Sequence, residues 1–180
     1  MNLVVKKPLG EDEFLRLLQT EEGKLYRIAL AVLGNEDDAW DSLQQTAEKT
    51  WINRSTLKGG RSAFPAWIKK ILINQSLNIL KTRNRQIPTD PREMTGILDL
   101  PPKNGKPGDI DIIWDLVLEL GPEHRTVIAL RYLGDLSIKE IAGKLGISPG
   151  TVKSRLYTAH TRLRQKLQDN NWQGVNKNGT

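Results

Sequence analysis

A chain of 180 residues, 27 % charged and 38 % hydrophobic, with net charge +6 and a pI near 9.6, can form one ordinary domain or two small ones and is apolar enough to fold. It has no cysteine, which excludes disulfides, thiol catalysis and cysteine-ligated zinc, and its two isolated histidines, His124 and His160, cannot assemble a histidine-rich metal site. With no apolar run near about eighteen residues and no signal-peptide pattern in residues 1–10, the expectation is a cytoplasmic chain without membrane insertion.

Residues 11–34 place Phe14, Leu17, Leu18, Leu25, Ile28, Ala29 and Val32 at helical spacing and end on Gly34, a natural stop. Asn35 can cap a second helix whose first turn holds Glu36, Asp37 and Asp38, where backbone N–H groups and the helix dipole favour negative charge; it runs to Trp51 or slightly beyond. Residues 57–62 (LKGGRS) read as a loop. Phe64, Trp67, Ile68, Ile71, Leu72, Ile79 and Leu80 then predict a third helix reaching Arg83.

The sign of charge changes along this half. Acids dominate from Glu11 to Glu48, whereas residues 49–89 contain no Asp or Glu and carry Lys49, Arg54, Lys58, Arg61, Lys69, Lys70, Lys81, Arg83 and Arg85. A solvated surface intersperses both signs, so a single-sign stretch of this length is better explained by a nucleic-acid face. Trp67, Phe64, Asn74 and Asn78 share that stretch, and aromatics and amides beside a cationic groove can stack on and hydrogen-bond unpaired bases. Taken alone, Phe64 and Trp67 at i and i+3 are more often core than base-stacking; the charge of the stretch shifts that balance without deciding it.

Residues 86–108 hold Pro88, Pro91, Pro101, Pro102, Pro107, Gly96, Gly105 and Gly108 and read as a flexible interdomain linker. At roughly 3.3 Å per extended residue it could reach about 75 Å, the length of about twenty base pairs. One molecule could therefore touch two separated DNA elements.

In the second half, Asp109 can cap a helix through Ile110, Ile113, Val117 and Leu120, with Gly121 ending it and Pro122 at the first position of the next, which runs through Val127, Ile128 and Leu130 to Gly134. Ser137 and Glu140 form an S-x-x-E capping box ahead of a short helix over residues 138–145, with Leu136 able to staple onto Ile141. Gly146 makes a turn. Ser148 then caps a last helix, with Pro149 at its first position and Ile147 opposing Val152. Two capped helices joined through a glycine turn are the sequence form of a helix-turn-helix. Val152, Leu156, Leu163 and Leu167 fall on one face of the last helix, leaving Thr151, Lys153, Ser154, Tyr157 and Thr158 to enter a major groove. Arg155, Arg162, Arg164 and Lys166 add charge for phosphate.

The carboxylates Asp37, Asp38, Asp41 and Glu48 could in principle bind Mg²⁺ or act as acid and base. No phosphate-cradling glycine loop or histidine partner accompanies them, and acids in a first turn are accounted for by the dipole. The reading is a protein-docking surface, a non-enzyme without cofactor or metal. The fold class expected is all-α: two small helical domains, 11–85 and 109–170, joined by the 86–108 linker, with a disordered tail at 171–180.

Both halves resemble the extracytoplasmic-function (ECF) sigma factors of the sigma-70 family. Residues 38–46 (DAWDSLQQT) and on to Trp51 are similar to its D-A-E-D-x-x-Q-E-T segment and following tryptophan; residues 64–67 (FPAW) and 71–74 (ILIN) resemble its F-x-x-W and I-A-x-N. Residues 120–132, 136–142 (LSIKEIA) and 150–156 (GTVKSRL) resemble its region 4 nearly residue for residue. Trp40, Gln45 and Ala47 stand where the family usually has Glu, Glu and Phe, and Pro65 lies beside the promoter-opening loop.

The resemblance implies a subunit that binds core RNA polymerase and directs transcription initiation. Region 2 would occupy the first half, docking the β′ clamp helices through Asp38, Asp41, Gln44 and Trp51. Arg61, Phe64, Lys70, Asn74, Asn78 and Lys81 would face the opened −10 element. Region 4 would place Ser148, Thr151, Lys153, Ser154, Arg155, Tyr157, Thr158 and Arg162 at the −35 element and contact the β flap. An anti-sigma factor is a further implied partner, alongside promoter DNA. A polymerase-independent regulator using the same helix-turn-helix is the alternative, and a Mg²⁺-dependent nucleic-acid enzyme a more remote one.

Overall fold

The computed structural model describes residues 9–86 and 109–169, so the expected linker and tail lie outside the described residues, save Gln86. The chain divides into two compact units, Met1–Pro88 and Thr89–Thr180. Every regular element among the described residues is helical, so the all-α expectation holds.

The first unit packs three helices: α1 (Glu11–Leu33), α2 (Glu36–Ile52) and α3 (Phe64–Gln86). Gly34 closes α1 in the left-handed region (φ 80°), donating its N–H to Leu30 O at 2.9 Å. One residue later Asn35 caps α2, its Oδ1 accepting from Asp38 N at 2.7 Å. This two-residue join folds α2 back on α1. Leu25, Ile28, Ala29 and Val32 of α1, Ala39 and Leu43 of α2, and Phe64, Ile68, Leu72 and Ile73 of α3 form the core.

Between α2 and α3 the buried seam is polar but satisfied. Ser42, Thr46 and Thr50, at i, i+4 and i+8, are fully buried. Thr46 Oγ1 donates to Ser42 O at 2.7 Å, Thr50 Oγ1 donates to Thr46 O at 2.8 Å, and Ser42 meets Ser76 of α3 at 2.9 Å. Short side chains whose hydroxyls bond back to the helix let the two backbones approach without leaving an orphaned group.

The segment between α2 and α3 is more ordered than a plain loop. Two 3₁₀ turns, Arg54–Thr56 and Gly60–Ala63, flank Gly59 (φ 99°) and Gly60 (φ 66°). A Cβ on Gly59 would stand 2.9 Å from that of Ala63, so both conformation and space require glycine there.

The second unit holds α4 (Asp109–Leu118), α5 (Pro122–Tyr132), α6 (Ile138–Leu145) and α7 (Pro149–Asp169). Asp109 lies within α4, at the edge of the described residues, and Gly121 serves as the residue ahead of α5 rather than the end of α4, which stops three residues earlier. Pro122 opens α5 as expected, its missing N–H costing nothing there. Trp114, Val117, Val127, Leu130, Ile141, Val152 and Ala159 are buried between these four helices.

Candidate nucleic-acid interface

The turn between α6 and α7 is built from local chemistry. Ser137 and Glu140 close a reciprocal capping box: Glu140 Oε2 accepts from Ser137 N at 2.8 Å, and Ser137 Oγ accepts from Glu140 N at 3.2 Å. Gly146 ends α6 at φ 68° with its N–H on Ala142 O. Ser148 Oγ then accepts from Thr151 N at 3.0 Å and meets Thr151 Oγ1 at 2.9 Å, starting α7. Ile141, Ala142, Val152, Leu156 and Ala159 bury the shared face.

With that face fixed, the opposite side of α7 is left to solvent. Lys153, Ser154, Tyr157, His160 and Arg164 are exposed, Tyr157 by 75 %, and Gly150 leaves the approach to the first turn open. Ser154 Oγ donates to Thr151 O at 2.9 Å, so the small polar groups at the helix start form a linked set. Thr151 and Thr158 are half-buried at the rim, and Arg162 is exposed on the flank.

Arg155 is placed differently from the sequence expectation of a DNA contact. Its guanidinium lies 2.7 Å from Glu123 of α5, with the side chain half-buried, so it pins α7 to α5. Lys166 likewise pairs with Glu119, just past the end of α4. Beneath Arg155 sits His124, buried, its Nδ1 3.8 Å from Glu123. Burial holds this imidazole below the ordinary histidine range; Arg162 and then Arg155 add to the lowering, and Glu123 opposes it.

The first unit presents its basic face along α3. Lys70, Asn74, Asn78 and Lys81, at i, i+4, i+8 and i+11, are all exposed on one stripe, with Trp67 half-buried at its edge. Arg61 is exposed and 3.4 Å from Glu13. Phe64 does not belong to this face: it is 0 % exposed, its ring edge-on to Phe14 at 5.6 Å and 6.1 Å from Trp67. A ring so enclosed cannot stack on a base, and Phe64 is corrected from strand contact to core residue.

On α2, Asp41 and Gln44 are exposed with Asp37 and Glu48 on the same side. Asp38 is engaged instead: its Oδ2 accepts from Asn35 Nδ2 at 2.6 Å and lies 3.4 Å from the Arg83 guanidinium of α3. That carboxylate holds three segments of the bundle together, which the sequence did not reveal because Arg83 read as part of the basic run. Trp51 packs edge-on to Phe14 at 5.2 Å, and Arg54 lies 3.8 Å over its ring. Trp40, half-exposed, stacks on Tyr26 at 4.6 Å.

A second feature of α7 was also not foreseen. Tyr132, at the end of α5, reaches His160 with its hydroxyl 2.9 Å from Nε2, both side chains exposed. Nothing in the spacing of these two residues announces the pair; the angle between α5 and α7 creates it.

A capped helix-turn-helix with an exposed cationic second helix, tethered to a bundle with a one-sided basic stripe, defines a DNA-binding protein. The chain matches the family models for sigma-70 region 2 over residues 17–86 and for sigma-70, region 4 over residues 110–163. It is 30 % identical over 156 residues to the RNA polymerase sigma-E factor of Streptomyces coelicolor, covering 86 % of each chain. It is 25 % identical over 187 residues to the ECF RNA polymerase sigma factor SigW of Bacillus subtilis, covering 94 % of this chain and 100 % of that one. Among solved structures, the sigma factor RpoE in complex with the anti-sigma factor NepR from Bartonella quintana shares the fold: TM-score 0.56 at 23 % identity, over 93 % of this chain and 98 % of that chain. The chain therefore belongs to the sigma-70 family, as an ECF RNA polymerase sigma factor. Its part in transcription initiation is to bind core polymerase and direct it to promoter DNA. No described helix is long and apolar enough to cross a membrane.

Proposed function

We propose the following division of that work among the residues. The exposed acidic side of α2, with Asp41, Gln44 and the neighbouring Trp40 and Trp51, docks on the β′ clamp helices. The α3 stripe of Lys70, Asn74, Asn78 and Lys81, with Arg61 beside it, holds the unpaired non-template strand of the −10 element. The start of α7 reads the −35 element through Thr151, Lys153, Ser154, Tyr157 and Thr158, while Arg162 meets phosphate and the second unit touches the β flap.

The observation that carries this reading is the exposed row on α7 above a helix-turn-helix closed by two side-chain caps. Small polar groups that can hydrogen-bond base edges lie at the helix start, followed by cations that neutralise backbone charge. The stripe on α3 supports the strand-holding role because amides and cations on one face can grip a single strand without reading duplex. Such a chain makes and breaks no bond; it supplies binding energy and orientation to the polymerase. The anti-sigma factor bound to the solved RpoE supports a partner of the same kind for this chain.

The test is reconstitution with core polymerase and promoter-specific run-off transcription. Lys153→Ala and Tyr157→Ala should weaken −35 recognition, and Asn74→Ala should impair strand opening with duplex binding preserved. Equal loss of both activities in all three variants would refute the partition. Tight sequence-specific operator binding by the chain alone, with no effect on initiation, would favour a polymerase-independent regulator.

A further inference from the structure

The Tyr132–His160 pair lies on the solvent side of α7. His160 follows Lys153 by seven residues and precedes Arg164 by four, which places all three on one exposed stripe of the helix. Two helical turns beyond Lys153 amount to about 10 Å along the axis, close to the roughly 12 Å width of a major groove. If the start of α7 lies in the groove, as in the reading above, His160 arrives at the rim, where the phosphates run. Arg164 is then one turn further out.

The chemistry of the pair changes with one proton. When the imidazole is neutral and Nε2 accepts from the Tyr132 hydroxyl, only Nδ1–H is free to donate outward. When the imidazole is protonated, Nε2–H donates to the Tyr132 oxygen instead. The Tyr132 O–H is then released to donate elsewhere, and Nδ1–H remains available. Protonation therefore converts a neutral pair with one outward donor into a cation with two, its halves joined across two helices by the 2.9 Å contact between the Tyr132 hydroxyl and Nε2. Both side chains are exposed, Tyr132 by 56 %, so neither needs to leave the core to reach a phosphate.

We infer that Tyr132 and His160 form a phosphate clamp at the rim of the −35 groove, and that engaging the DNA backbone takes up one proton at the imidazole. The surroundings favour this. Tyr132 from α5 is the partner that shares the proton, and Tyr157 and Arg164 on α7 lie one turn to either side. Three nearby carboxylates are held by other groups: Glu119, just past α4, by Lys166, Glu123 of α5 by Arg155, and Glu140 of α6 by its cap on Ser137; Asp135, in the turn after α5, is exposed. Arg131, next to Tyr132, donates to Leu136 O at 2.9 Å and is turned toward the α5–α6 connection. On α6, Lys139 is exposed and Lys144 half-buried. The anion assigned to the pair in this inference is the DNA backbone. The protonated ring carries the additional donor, so the clamp strengthens toward lower pH.

The inference rests on the placement of α7 in the −35 groove, and the experiment separates the two. Holoenzyme is assembled from core polymerase and the full chain. Its affinity for a fluorescent duplex, carrying the −35 sequence that the holoenzyme itself selects from a randomised pool, is measured from pH 6 to 8.5. Wild type should lose affinity as pH rises, by up to about tenfold per unit, the limit for uptake of one proton. His160→Gln should flatten that slope relative to wild type and bind at every pH as wild type does at the alkaline end. Tyr132→Phe should keep a slope and bind several-fold more weakly at pH 6, because the second donor is missing. Lys153→Ala should weaken binding at all pH values with the slope intact. A slope in His160→Gln equal to that of wild type, with Lys153→Ala weakened, overturns the clamp and leaves the groove placement standing. Unchanged binding in Lys153→Ala overturns the placement and the clamp with it.

Discussion

Replacing Phe64 separates a core ring from a base-stacking ring. The side chain is 0 % exposed, edge-on to Phe14 at 5.6 Å and beside Trp67 at 6.1 Å, at the point where α3 begins and the chain returns to the bundle. Phe64→Ala removes a fully buried ring and leaves a cavity, a change that costs about 3–5 kcal/mol, of which the lost aromatic pairs account for about 0.5–1.5 kcal/mol each. Against a typical domain stability of about 5–15 kcal/mol, that is enough to unfold much of the first unit at growth temperature. Phe64→Leu keeps most of the volume and should cost on the order of 1–2 kcal/mol. Thermal unfolding of the full chain by circular dichroism should therefore show the first unit melting far earlier in Phe64→Ala and slightly earlier in Phe64→Leu. Holoenzyme carrying Phe64→Leu should still open promoter DNA, read as permanganate reactivity of unpaired thymines. A Phe64→Leu chain that melts like wild type yet opens no strand would place the ring against DNA and refute the core assignment.

Four further outcomes follow from the second unit. A Cβ at Gly146 meets no atom within 4 Å, so only the φ of 68° resists substitution; Gly146→Val should cost about 1–2 kcal/mol in urea unfolding, and Gly146→Asn distinctly less. His124 has its protonated form disfavoured in the fold, so the unfolded chain binds more protons at acid pH; the second unit's melting midpoint should hold above about pH 6.5 and fall as pH drops below it. In His124→Gln that acid loss should shrink. Lys153→Ala should lower the salt dependence of duplex binding by about one counterion. Arg155→Ala, removing a partly exposed ion pair to Glu123, should cost stability of about 0–1 kcal/mol and change the salt slope less than Lys153→Ala does.

Sequence and structure agree where the information is local. Asn35, Ser137, Glu140, Gly146 and Ser148 act within four residues of themselves, and each does in the fold what its position in the chain implies. The row on α7 was legible for the same reason, since helical spacing alone turns Lys153 and Tyr157 away from the face of Val152 and Leu156. What was not legible depends on partners far along the chain. Arg155 looked like a free cation until Glu123, two helices earlier, lay 2.7 Å away. Asp38 looked like a surface acid until Arg83 arrived from α3. Phe64 and Trp67 are equivalent in pattern, and only the position of Phe14 on α1 decides which of them is enclosed. Asp135, at φ 58°, shows a further limit: the turn after α5 takes a left-handed residue where no glycine signals it, because aspartate tolerates that conformation better than most side chains.

The hydroxyl seam between α2 and α3 has a directional consequence. An all-leucine contact would tolerate sliding or rolling of one helix on the other, whereas Ser42 and Ser76 satisfy each other in one register only. Ser42, Thr46 and Thr50 lie on the side of α2 opposite Asp37, Asp41 and Glu48, so locking the seam also locks the bearing of the acidic stripe relative to the cationic stripe of α3. A pair of buried serines thus works as an alignment key, fixing the angle at which two oppositely charged surfaces leave the same bundle.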